Sequence, residues 1–263
     1  MLKRLFALLL ILLLGSSCSD NGKDNRTGDL TGKHVLVFCG HGPGYVHDNI
    51  AASVTMILQL ADENGFTADT TSAVSVFCDD SLSRYDLLVY ANASYVESLL
   101  DEPKRAAFQR FIRGGKGFVG LHAATCTGKD WEWFTQMIGG RFDYHPPLQP
   151  LTLKVVDRSH PSTAMWPDTL RRNDELYVFK RLNPQARILA VWQTDGVKWA
   201  ERAPEIMQPS IPAVWCNEFE GGRVWYSALG HNASCYAEPD YRAHVLGGLK
   251  WAAASPAAEP DKQ

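Results

Sequence analysis

The stretch Gly117-Phe118-Val119-Gly120-Leu121-His122-Ala123-Ala124 constrains the fold more than any other part of this chain. Its first five residues read as a short strand buried on both faces, and the chain then enters a sharp turn. Gly120, two residues before His122, and Ala124, two after it, are small, as a strand-to-helix elbow requires where backbones pack closely. Elbows of this kind hold the nucleophile of many α/β enzymes, but here the position is a histidine rather than serine or cysteine. At the carboxyl end of a central strand, a histidine can ligate a metal, move a proton or hydrogen-bond a polar ligand. It is a poor acyl nucleophile in that setting.

The segments around the elbow repeat one rhythm. His34 to Cys39 is a nearly continuous apolar run, followed by the loop Gly40-His41-Gly42-Pro43-Gly44 and a predicted helix from about Asn49 to Asn64, with Asp48 expected as its cap and Gly65 as its stop. Strands are predicted at Phe66 to Thr71 and Asp86 to Tyr90, and an amphipathic helix at Asp101 to Arg113, with Pro103 in its first turn and Gly114-Gly115 beyond its end. Strands joined by helical crossovers imply an α/β fold with a doubly wound, mostly parallel sheet flanked by helices. Further on, Trp131 to Ile138 reads as a helix and Leu151 to Val156 and Ala186 to Gln193 as strands. Ala213 to Phe219 with Arg223 to Leu229 reads as a hairpin, and Pro239 to Ala254 as a closing helix.

The amino terminus has a different character. Lys3 and Arg4, the apolar run Leu5 to Leu14, then Gly15-Ser16-Ser17 and Cys18 form a lipoprotein-type signal over 1–18, too short to span a membrane as a helix. Residues 19–32 are expected to be a flexible tether, 33–254 one domain, and 255–263 a disordered tail. Lipidation at Cys18 would place the protein in the periplasm or at the outer membrane, touching the membrane through its anchor alone. A net charge of −3 without a basic stripe argues against nucleic acid as a partner. Cys39, Cys78, Cys126, Cys216 and Cys235 are odd in number, form no CxxC pair and several lie in apolar runs. They read as buried thiols, with one bridge open in an oxidising compartment.

Ligands of open α/β sheets sit outside the carboxyl ends of the strands, and histidines fall at several such ends: His41 and His47, His122, and His231. His47, His122 and His231 would suit Zn²⁺ or another divalent metal, although no HExxH-type spacing accompanies them. His145-Pro146 follows a glycine-hinged segment that could hold His145 over the site, whereas His160-Pro161 also fits an ordinary capping turn. The acidic pair Asp174-Glu175 supplies a carboxylate able to orient imidazoles, bind a metal or act as a base. Among the aromatics, Trp131, Trp133 and Tyr144 are those expected near a ligand; the rest read as core.

The ordered series His47-Asp48-Asn49-Ile50, Gly114 to His122, Trp131 with Phe134, Gly139-Gly140-Arg141-Phe142 with His145-Pro146, His160-Pro161, Asp174-Glu175-Leu176-Tyr177 and Gly222 to Tyr226 through Gly230-His231 resembles the ThuA-like (trehalose utilisation) family. The resemblance runs from about Lys33 to Ala254. It departs at Ile211-Pro212, where many relatives carry His-Pro, and His41 has no clear counterpart. It implies a class I glutamine amidotransferase-like, flavodoxin-like fold without the amidotransferase cysteine, since Cys126 lies four residues past the elbow. It also implies carbohydrate metabolism on disaccharides or glycosides that a partner sugar oxidoreductase oxidises to keto-sugars. The expectation is therefore an enzyme acting on a small-molecule glycoside or keto-glycoside by elimination or hydrolysis. His122, Glu175 and His231 would be catalytic, and His47, Trp131, Tyr144, His145 and Asp174 would bind substrate. The alternative is a non-catalytic carbohydrate-binding lipoprotein.

Overall fold

A computed structural model describes residues 25–199 and 209–254. The leader with Cys18, the first part of the tether and the 255–263 tail lie outside the described residues. Strands β1 (His34–Phe38), β2 (Thr67–Thr71), β3 (Leu87–Ala91) and β4 (Gly117–Leu121) alternate with helices α1 (Ile50–Asn64), α2 (Asp79–Leu82) and α3 (Glu102–Arg113). After the elbow come α4 (Glu132–Ile138), β5 (Arg141–Tyr144), β6 (Gln149–Val155), β7 (Thr169–Asp174), β8 (Val178–Lys180), β9 (Arg187–Gln193), β10 (Ser210–Phe219), β11 (Gly222–Ser227) and α5 (Pro239–Ala252). Nine strands form one sheet in the order β2-β1-β3-β4-β11-β10-β9-β6-β7, and β5 pairs with β8 in a small second sheet. From β2 to β11 the pairing is parallel; from β11 to β7 each neighbour is antiparallel. The result is a mostly parallel, mixed α/β sheet.

Alternating side chains of the central strands enter two separate cores. Val35, Val37, Val89 and Val119 meet α1 and α5 on one face, through residues such as Met56, Leu60, Val245 and Leu249. Leu36, Phe38, Leu88, Tyr90 and Phe118 meet α3 and α4 on the other, through Phe108, Phe111, Phe134 and Ile138. Burial on both faces is why these strands read as continuous apolar runs rather than alternating ones. Helix α1 buries Ser53, Met56, Ile57, Leu60 and Ala61, the three-and-four spacing of a single helical stripe. Among the described helices none is long and apolar enough to cross a membrane.

Several local expectations are corrected. Asp48 does not cap α1: the N-cap is Asn49, which makes no side-chain cap bond, and its Nδ2 donates to the Gly230 carbonyl instead. Asp101 does cap α3, accepting from the Lys104 N–H at 3.1 Å. Strands β5, β7 and β8 were not anticipated; β7 is partly exposed and carries Arg171 and Arg172, which break the apolar pattern. The described end of the expected tether is packed rather than free. Leu30 is 1% exposed within the first core, and the Gly28 N–H donates to the Lys250 carbonyl at 2.7 Å. All five cysteines outside the leader are unpaired, and Cys78 is exposed rather than buried.

Candidate active site

The parallel register brings the carboxyl ends of β1, β4 and β11 to one edge of the sheet, where the loops that follow them converge. At the elbow, His122 has a φ of 42°, a left-handed backbone that residues with a Cβ seldom adopt. Packing enforces it. A Cβ on Gly120 would lie 3.1 Å from Ala124, Ile138 and Tyr226 side-chain atoms, so the strand can approach the following turn only without one. The His122 main-chain carbonyl accepts from the Tyr226 hydroxyl at 2.7 Å. Its ring is completely buried, with Nδ1 2.8 Å from the Ala228 carbonyl. A carbonyl can only accept, so Nδ1 carries a proton and Nε2 faces the site.

Three more segments meet that nitrogen. Glu175 Oε2 is 3.5 Å from His122 Nε2 and 3.1 Å from His231 Nδ1, and Glu175 Oε1 is 3.5 Å from His145 Nε2. The His231 contact is close enough for an ion pair but is not aligned as a hydrogen bond. The Tyr177 hydroxyl lies 3.0 Å from His122 Nε2 and 3.4 Å from His47 Nε2. His47, His122, His231 and Glu175 each present a ligand atom, all within 4.8 Å of one another.

Charge follows from this packing. Burial opposes ionisation of Glu175, but contacts with His122 and His231 outweigh it and hold the carboxyl well below the usual carboxylate range. His231 is raised, chiefly by its Glu175 partner, against a smaller effect of burial. Burial, reinforced by the neighbouring His122, drives His47 down to about 3 and keeps its imidazole neutral. The Tyr177 phenol is raised by burial and stays protonated, so it can donate to a bare imidazole nitrogen. Cys126, also pushed by burial up to about 12, is no thiolate nucleophile.

Asp174 is not exposed to a ligand. It is 2% exposed, and its carboxylate accepts from the backbone N–H groups of Glu175 (2.9 Å), Gly230 (2.9 Å) and His231 (3.1 Å). This sets two of the four site residues relative to each other, although β7 and β11 lie at different places in the sheet. Asn49 donates to the Gly230 and His231 carbonyls at 2.7 and 3.0 Å, tying the β1 loop to the same turn. Gly230 has φ 113°, and a Cβ there would sit 2.5 Å from the Tyr241 hydroxyl.

The expected residues therefore divide. His47, His122, Glu175 and His231 come together; His145 joins them through Glu175 with its ring stacked on Tyr177 at 5.8 Å, and Tyr144 precedes it on β5. Trp131 does not. It is 6% exposed, stacked on Phe134 at 5.5 Å and Trp133 at 5.7 Å, with the Arg105 guanidinium 5.2 Å from its ring centre. It is a core residue because α4 starts there and turns it into the second core. His41 pairs with Ser94 in an isolated bridge, and its ring contacts the Gly42 carbonyl. His160 is fully buried against Ser162 and Trp251. Tyr177 and Asn49 were missed. The i, i+2 spacing of Glu175 and Tyr177 on an extended segment was the available signal for the first.

The family model described as ThuA, trehalose utilisation, matches residues 34–252. No curated protein matches the chain. Among solved structures, a ThuA-like protein of Parabacteroides merdae is 19% identical with a TM-score of 0.68, over 88% of this chain and 94% of that one. One of Bacteroides uniformis is 20% identical with a TM-score of 0.66, over 88% and 95%. A β-galactosidase of Rahnella sp. R3 is also similar, at 17% identity and a TM-score of 0.53; the match covers 84% of this chain but 32% of the enzyme. At these identities the structures share the fold.

Proposed function

Because the chain belongs to the ThuA, trehalose utilisation, family, we propose that it is an enzyme of carbohydrate metabolism that cleaves glycosides or keto-glycosides. The observation that carries this reading is the convergence of three imidazoles and one carboxylate from four distant segments at the carboxyl edge of the parallel strands. A ketone beside a sugar carbon acidifies the neighbouring C–H, so modest acid and base groups suffice for cleavage. Glu175, whose carboxylate faces the imidazoles of the cluster, takes that proton. The electron pair left on carbon forms the enol or enolate and then the double bond as the glycosidic C–O bond breaks. His231, with its raised proton affinity, protonates the departing oxygen. The Tyr177 hydroxyl, 3.0 Å from His122 Nε2, donates to the ketone, and His122, whose Nε2 carries no proton, would serve by holding a metal able to polarise that ketone. The amidotransferase alternative requires a thiolate, and the thiol near the elbow is Cys126, buried and strongly protonated.

His122→Ala tests this reading. Loss of turnover on 3-keto-glycosides with sugar binding retained supports it. Unchanged processing of every oxidised glycoside overturns it, and binding without turnover by the unmodified chain points to a carbohydrate-binding protein. The same reading places the protein in the periplasm or at the outer membrane through lipidated Cys18, next in sequence to a sugar oxidoreductase. Radiolabelled palmitate entering the wild-type chain but not Cys18→Ala tests the anchor.

A further inference from the structure

We propose that His47, His122, His231 and Glu175 form a binding site for one divalent transition-metal ion of the zinc or cobalt kind. With the ion bound, Glu175 and His231 are ligands rather than the base and acid of the carbohydrate reading; metal binding is measured without a sugar, so the two readings fail separately.

The first argument is geometric. A tetrahedral ion held at about 2.0–2.1 Å by three imidazoles keeps their ring centres roughly 5.2 Å apart and the ligand atoms roughly 3.3 Å apart. The ring centres of His47 and His122 are 5.0 Å apart, those of His122 and His231 5.5 Å, and those of His47 and His231 5.8 Å. Glu175 Oε2 stands 3.1 Å from His231 Nδ1 and 3.5 Å from His122 Nε2. The rings meet at interplanar angles of 90°, 64° and 79°, so they splay around a common centre instead of stacking. The ligand atoms lie within 4.8 Å of one another, so the widest pair would draw in by up to about 1.5 Å, a side-chain adjustment, as an ion closes the set.

Unmet hydrogen bonding is the second. His47 is 8% exposed and its Nδ1 has no hydrogen-bond partner among the described residues; His231 Nδ1, although beside Glu175, has none of acceptable alignment. Buried polar atoms are nearly always satisfied, and those that are not call for a missing partner. At His231 Nδ1, 3.1 Å from Glu175 Oε2 within the cluster, a cation would supply that partner.

Support behind the ligands is the third. Metal-binding histidines are generally fixed by a hydrogen bond from the other ring nitrogen, and His122 Nδ1 donates to the Ala228 carbonyl at 2.8 Å, aiming Nε2 at the centre. Asp174 holds the backbone of Glu175 and His231 together, and Asn49 holds the loop beyond His47 to the carbonyl of His231. Bound through ring nitrogens that have given up any proton, three imidazoles and one carboxylate would leave a divalent ion with one net positive charge, able to polarise a carbonyl or a bound water.

Co²⁺ titration of the tag-free, chelator-treated full chain tests the proposal, read by visible absorption and by mass-spectrometric metal content. The expected result is one ion per chain, a tetrahedral-type band between about 500 and 650 nm, competition by Zn²⁺ and a rise in melting temperature on loading. Glu175→Gln and His122→Asn should each weaken binding at least tenfold, while His34→Gln, on the exposed end of β1, should leave it unchanged. Should either variant fail to fold, the wild-type spectrum and stoichiometry decide. A folded chain that takes up no Co²⁺ or Zn²⁺ below about 100 µM free metal overturns the proposal. So does binding that Glu175→Gln and His122→Asn leave unchanged.

Discussion

Asp174 joins the two halves of the site, and replacing it by asparagine separates its orienting role from its shape. In the native protein Oδ1 accepts from the Glu175 and His231 N–H groups and Oδ2 from that of Gly230. Asparagine has the same outline but one acceptor. Its better orientation keeps oxygen at the Oδ1 position and turns the amide NH₂ toward the Gly230 N–H, setting donor against donor. Stranding a buried donor costs about 1–3 kcal/mol, and the two remaining bonds lose their charge assistance, together roughly a further 1–2 kcal/mol. The expected destabilisation of Asp174→Asn is therefore about 2–5 kcal/mol. Urea unfolding with the slope unchanged and the midpoint lowered by about 1–2 M measures it. Because Gly230 and His231 would shift, cobalt affinity should fall as well, without the loss of any ligand. A midpoint within about 0.2 M of wild type refutes the claim that this carboxylate holds the site together.

Other outcomes follow from the buried groups. His244, buried between the Ser162 carbonyl and the Ser227 hydroxyl, has its proton affinity lowered to about 3 by burial. Its folded value lies below the unfolded value of 6.5, so on acidification the unfolded chain takes up a proton that the folded chain refuses. Stability should fall by about 1.4 kcal/mol per pH unit from this group between 6.5 and about 3, and His244→Gln should flatten a pH-resolved unfolding series by that slope. Trp131→Ala should cost about 3–5 kcal/mol by calorimetry while leaving cobalt affinity within twofold, since the indole lies in the core; a selective loss of sugar binding would restore it to the site. In the native protein Cys78 should react with a thiol reagent within minutes and Cys126 only in denaturant, as peptide mass mapping will report; fast labelling of Cys126 would contradict its burial.

Much of the scaffold was legible because strands buried on both faces cannot hide their apolar runs: β1, β3 and β4 stand out, and so do the stripes of α1 and α3. The elbow was legible for the same reason, its small neighbours being required by contact. Strands β5, β7 and β8 were not, since they are short or partly exposed and gain their order from pairing with distant segments. The four converging residues could be nominated from strand ends and a resemblance, but the contacts that surround each of them could not. Asp174 and Glu175 are adjacent in sequence, yet one carboxylate faces backbone N–H groups and the other faces imidazoles. Trp131 shows the converse limit: an aromatic close to the elbow in sequence is drawn away from it by the start of α4.

The central claim is that Glu175, among the imidazoles, removes a proton from carbon beside a sugar ketone. Incubating the chain with 3-keto-trehalose and other 3-keto-glycosides in D₂O, and following them by NMR, tests it directly. The account predicts that the carbon next to the ketone gives up its hydrogen to solvent as the free sugar is released with wild-type protein, and that both are lost with Glu175→Gln. Cleavage whose product keeps the original hydrogen on that carbon, or cleavage undiminished in Glu175→Gln, would contradict it.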